Sequence, residues 1–174
     1  MESKVRLFGH PVHQMLIVFP VGLLLASLAF DVIHLAADSA VAATVAHALI
    51  ATGVIAGLLA APWGAVDWHA LPANTRAKRV GAAHGAGNVL VLVLFAASGW
   101  LRSAAPEAPS ALALGLAFAG ALVLLLTAWL GGELVDRLGV GVSPHANLDA
   151  RSSLEGPALP PMHANEPRAG GGVR

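Results

Sequence analysis

Four stretches of this chain, 12–36, 41–68, 78–101 and 109–135, stay apolar for about the 20 residues that a helix needs to cross a bilayer core roughly 30 Å thick. No other feature restricts the fold as much. In hydrocarbon every backbone N–H and C=O must be satisfied within the protein, which leaves helices and closed barrels. The runs are continuous and rich in Ala, Leu and Gly, whereas the strands of a membrane barrel alternate, so strands are not expected. Composition agrees, with 56% hydrophobic and 11% charged residues and a mean hydropathy of +0.71. The sequence therefore predicts an all-α, four-transmembrane-helix bundle with short loops, one membrane domain over 1–142. Residues 143–174 are rich in Pro, Gly, Ser and Ala, lack a sustained apolar period, and read as a disordered cytoplasmic tail.

With four crossings, Lys4, Arg6, Arg76, Lys78, Arg79, Arg137, Arg151, Arg168 and Arg174 share one side, and Arg102 stands alone on the other. The positive-inside rule makes both termini cytoplasmic. The run from Met15 to Phe30 is long for a signal peptide, and Asp31 and His34 follow where small cleavage-site residues belong, so the first helix is expected to be retained. The chain has no cysteine, which excludes disulfides, thiolate metal sites and covalent c-type haem within it. Its net charge of zero gives no footprint for nucleic acid.

Prolines and small residues punctuate the spans. Pro11 suits the opening turn of the first helix, and Pro20 should kink it. Gly53 with Gly57, and Gly81 with Gly85, have the spacing that lets helix backbones approach closely. Trp63 and Trp68 sit where headgroup-level anchors belong. No clear internal repeat is apparent, although the two proline-interrupted helices of the first half leave a weak pseudo-symmetry open.

Placed by depth, the polar residues form two layers. On the cytoplasmic side lie His10 and His13, Asp67 and His69, His84 and Asn88, and Glu133 and Asp136, so every helix contributes. On the far side Asp31 and His34 end the first helix, and His47 comes out at the depth of Asp31, within reach of an interhelical pair. His13 and Asp31 are 18 residues apart, hence on one helical face, separated by roughly 27 Å. His84 and Asn88 are i and i+4 neighbours.

Ionisable groups inside a span are costly and mark functional candidates. Imidazoles bind divalent transition metals and haem iron, so His10, His13, Asp67, His84 and Glu133 form a candidate metal set, and His13 with His84 a candidate ligand pair for a b-type haem. Asp31, His47 and Asn88 are candidate intramembrane polar partners. Structural readings stand beside these: His10 and His69 as interfacial residues, Asp31 with His47 as an interhelical pair, His84 with Asn88 as interhelical hydrogen bonding, and His145 and His163 as solvated tail residues.

Several of these motifs resemble a known family. They are His10-Pro-Val-His13 running into Gln-Met-Leu-Ile-Val-Phe-Pro20, Asp31, G-x-x-A-x-x-x-A-x-P-x-G-x-x-D-W over 53–68, His84-x-x-x-Asn88, Arg102, and GGELVDRLGVGV at 131–142. Together they are similar to the bacterial four-span membrane family filed as domain of unknown function 2231, over about residues 9 to 142. The resemblance implies a four-span fold in a bacterial inner membrane. Some relatives are fused to Rieske-type iron–sulfur domains, which implies an association with electron transfer. Many relatives carry a histidine where Val18 stands here, and residues 143–174 are not expected to form such a cluster domain.

The resulting expectation is a non-catalytic membrane subunit that contacts the lipid bilayer, with a redox partner protein or a second copy as its partner and haem or a metal ion as its ligand. A small proton or ion pathway and a structural or assembly partner of a membrane complex are the alternatives.

Overall fold

The computed structural model describes residues 1–155. Each boundary between an apolar run and a polar break becomes a helix end. Helices α1 (Val12–Leu16) and α2 (Val18–Ala37) make the first span, α3 (Ala40–Ala70) the second, α4 (Arg76–Arg102) the third and α5 (Ala111–Gly132) the fourth. All four spans are long and apolar enough to cross a membrane. Hydroxyl caps start the last three: Ser39, Thr75 and Ser110 accept hydrogen bonds from the amides of Ala42, Lys78 and Ala113. The fourth span closes in one π-helical turn, Glu133–Arg137.

Pro20 breaks the first span as its chemistry requires. It has no N–H for the Leu16 carbonyl, and the helix is interrupted three residues earlier, at Ile17. Pro62 leaves α3 unbroken. One feature departs from the expectation of helices alone. Strands β1 (Arg6–Leu7) and β2 (His10–Pro11) pair as a small antiparallel hairpin outside the spans. Its two turn residues, Phe8 and Gly9, have φ of 50° and 86°, the positive values that the tightest hairpin turns demand.

The spans pack as two hairpins, α2 against α3 and α4 against α5, with further contact between α3 and α4 and between α2 and α5. Leu24, Ile50, Val91, Phe95, Ala117, Ala121 and Leu124 form the buried core. Glycine supplies the close approaches. A Cβ on Gly53 would lie 2.7 Å from Leu24, one on Gly57 2.6 Å from Leu92, and one on Gly120 2.9 Å from Phe95. Of the expected pair in α4, Gly81 packs on Trp68, while a Cβ on Gly85 would meet nothing within 4 Å among the described residues.

Trp68 does more than sit at the interface. Its indole donates to the Lys78 carbonyl at 3.1 Å, and the Lys78 ammonium lies 4.0 Å from the ring centre. That clasp closes the loop between α3 and α4. Residues 143–155 run through turns back to the N-terminal hairpin, where the Ser153 hydroxyl donates to the Phe8 carbonyl at 2.9 Å. The rest of the expected tail, with His163, lies outside the described residues.

Candidate functional site: two polar layers inside the bundle

The inner layer is built around two imidazoles that neighbouring spans hold in the same way. His84 of α4 has Nδ1 2.8 Å from the Thr127 carbonyl of α5. His13 of α1 has Nδ1 3.1 Å from the Ala60 carbonyl of α3. A carbonyl can only accept, so each Nδ1 carries a proton and Nε2 is the ring atom left for any further contact. Both contacts depend on a glycine one turn beyond the accepting carbonyl. A Cβ on Gly64 would stand 2.8 Å from the His13 ring, and one on Gly131 3.1 Å from the His84 ring. The missing side chains are what open these carbonyls to a residue on another helix.

A network surrounds His84. The Asn88 amide donates to its Nε2 at 3.0 Å. The buried Thr127 hydroxyl lies 3.0 Å from the His84 carbonyl and 3.2 Å from Asn88 Oδ1, so one proton serves one of two acceptors at a time. Asn88 therefore joins α4 to α5 as well as capping the imidazole.

The remaining members of the five-residue metal set do not converge on these two. His10 is exposed on the N-terminal hairpin, with Ser153 Oγ 3.4 Å from its Nε2. Asp67 accepts from the Ser3 hydroxyl at 2.7 and 2.9 Å and from the Lys4 amide at 2.8 Å. Glu133 binds Arg76 at 2.6 Å. Each carboxylate has a nearer donor or cation of its own. Among the described residues no three or more His, Asp or Glu side chains are grouped to hold a metal ion.

The outer layer also differs from expectation. Asp31 does not take His47 as its partner. Both of its oxygens are held by Arg102, Nη1 to Oδ1 at 2.6 Å and Nη2 to Oδ2 at 2.8 Å, and neither side chain is exposed at all. The reason is charge. A guanidinium stays protonated, is costly to leave unpaired in an apolar interior, and presents the fork that matches a carboxylate; a neutral imidazole offers neither. Arg102 Nε reaches Ser98 Oγ at 3.2 Å, and that hydroxyl donates to the Ala113 carbonyl of α5 at 2.7 Å. His47 is left with a buried Nδ1 that has no hydrogen-bond partner among the described residues.

Sequence reasoning therefore missed Arg102, Ser98 and Thr127 as members of the layers, and Gly64 and Gly131 as the openings for the imidazoles. The available signal was depth: Arg102 ends α4 on the side of the bundle where Asp31 stands in the last two turns of α2, with opposite charge, and Ser98 precedes Arg102 by one turn. Between the layers the buried residues of the first and third spans are Pro20, Leu24, Val91, Phe95 and the two serines Ser27 and Ser98.

No curated protein and no solved structure gives a significant match to this chain. Residues 9–144, well over half of it, match the model of one family, and they hold His13, Asp31, His84, Asn88, Arg102 and Glu133 alike. The chain thus belongs to the family described as "Predicted membrane protein (DUF2231)".

Proposed function

We propose that this protein is a non-catalytic membrane subunit in which His13 and His84 hold a haem iron or a divalent transition-metal ion, for electron transfer or sensing. The observation that carries the reading is the shared anchoring of the two rings. Each Nδ1–H is tied to a backbone carbonyl of the following span, the second-sphere contact that orients a ligand imidazole and leaves Nε2 as the donor atom. Two imidazoles without a third protein ligand would suit a b-type haem better than a closed tetrahedral zinc site. A haem held there would pass single electrons. Asn88 occupies Nε2 of His84, so ligation exchanges that hydrogen bond for the metal bond.

We place the protein in a bacterial inner membrane with both termini cytoplasmic. Arg102 is neutralised by Asp31, so the uncompensated positive charge of the chain falls on the opposite side.

The test is the visible spectrum of detergent-purified protein, oxidised and dithionite-reduced, with elemental analysis. A Soret band, or one metal per chain, that disappears in both His13→Ala and His84→Ala is expected. Asn88→Ala should bind at least as tightly as the unaltered protein. Absence of both a Soret band and a stoichiometric metal removes the reading.

A structural or assembly role has its own support, since His84, Asn88 and Thr127 satisfy one another without any ligand. It expects co-purification with a larger complex that His84→Ala leaves intact. The proton-pathway alternative is weakened by the apolar core, in which Leu24, Ile50, Val91, Phe95 and Leu124 separate the layers.

A further inference from the structure

The buried positions of the two hairpins repeat. In the first span the buried residues of α2 are Pro20, Leu24, Ser27 and Asp31; in the third, past Gly81, they are Val91, Phe95, Ser98 and Arg102. Each member of the second set follows its counterpart by the same 71 residues that separate Asp31 from Arg102. His13 and His84 fall on that register too, as do the identities Leu23 with Leu94 and Ala26 with Ala97. The second and fourth spans match at another constant separation: Ala46, Ile50, Gly53, Gly57 and Ala60 correspond to Ala113, Ala117, Gly120, Leu124 and Thr127, all buried.

Contacts repeat along with positions. Gly53 packs on Leu23 and Leu24 as Gly120 packs on Leu94 and Phe95. Gly64 packs on His13 as Gly131 packs on His84. Spans one and three run in the same direction, so the relation between the halves is a pseudo-twofold one that exchanges span one with three and two with four. Few identities mark it in the sequence, because paired positions keep their burial even where their residues differ, as at Ile50 with Ala117 and Gly57 with Leu124.

At one pair the correspondence inverts. Asp31 and Arg102 occupy equivalent positions, carry opposite charges, and bind each other. We infer that each hairpin is a docking surface for the other, and that this pair encodes which hairpin it accepts. A half carrying Asp31 docks on a half carrying Arg102, whereas two copies of the same half would bring like charges together in a water-free core. The partner for each surface is therefore the other hairpin of this chain, and a second copy of the same hairpin is excluded.

Equivalence also assigns a latent role to Ser27. It stands one turn before Asp31 as Ser98 stands one turn before Arg102. Ser98 accepts from the guanidinium, while the buried Ser27 hydroxyl turns to the Leu24 carbonyl of its own helix at 2.7 Å. If the charges traded places, Ser27 would take over the guanidinium.

The experiment uses the full chain in detergent, with the unfolding midpoint and the monomer peak on size exclusion as readouts. The single reversals D31R and R102D are expected to lose the folded monomer, and the exchange D31R/R102D to recover most of it. In the unaltered protein S98A should lower the midpoint more than S27A; in the exchanged protein the order should reverse. An exchange no more stable than the single reversals overturns the inference, and so does a serine order that stays the same in both backgrounds. Neither readout involves haem or metal.

Discussion

Asp31 and Arg102 meet through two parallel hydrogen bonds of 2.6 and 2.8 Å, with both side chains wholly inside the bundle and 71 residues apart in the chain. The pair joins the first span to the third, which are not sequence neighbours. Removing one partner leaves the other charge buried and uncompensated, which costs about 3–5 kcal/mol. Asp31→Ala and Arg102→Ala should each lower stability by that order in denaturant titrations of the detergent-solubilised protein. Replacing both, as in D31L/R102M, should come close to neutral. A double variant as unstable as the singles would contradict the charge account.

His13 and His84 each lie where a glycine has no side chain. Gly64→Ala and Gly131→Ala should therefore displace an imidazole and cost about 1–3 kcal/mol through overpacking. A Cβ added to Gly22 or Gly115 meets nothing within 4 Å among the described residues, so alanine there should be neutral or stabilise by up to about 1 kcal/mol through helix propensity. Unfolding curves of the four variants separate the two classes.

Asp67 ties the N-terminal segment to the end of α3 by accepting from Ser3 and from the Lys4 amide. Asp67→Ala should free that segment and its hairpin. Limited proteolysis is expected to cleave within residues 1–11 several-fold faster, with the spans unaffected. Asp136, whose side chain is 84% exposed, is the control, and Asp136→Ala should leave the cleavage rate unchanged.

Pro20 sets the break at Ile17. Pro20→Ala supplies a donor for the Leu16 carbonyl and should join α1 to α2 as one helix, turning His13 away from Ala60. Hydrogen exchange should show protection of the new amide at residue 20. The His13 ring resonance should shift as its carbonyl contact is lost, and an unshifted ring would mean that the break does not position the imidazole.

Local chemistry made much of the bundle legible. Ser39, Thr75 and Ser110 cap helices that begin within a few residues of where the apolar runs do, and Pro20 disrupts the span that it was expected to kink. The inner layer was legible in part. His13 and His84, both half-buried, each reach an adjoining helix, because an imidazole in a span seeks an acceptor and the next span supplies one. What depth could not reveal was exclusivity. Glu133 and Asp67 lie near the same height, but Arg76 and Ser3 reach them first, and which donor arrives first depends on how the helices are turned.

The outer layer shows the same limit more sharply. Height placed Asp31 with His47, and only the tertiary fold carried Arg102 of span three across to the carboxylate, leaving His47 Nδ1 with no hydrogen-bond partner among the described residues. The chain by itself determined the number, length and ends of its helices, since hydrocarbon thickness, capping and proline geometry act within a few turns. Tertiary structure alone decided which polar groups met and that the two halves repeat, because both follow from helix rotation and burial, to which a run of Ala, Leu and Gly is nearly silent.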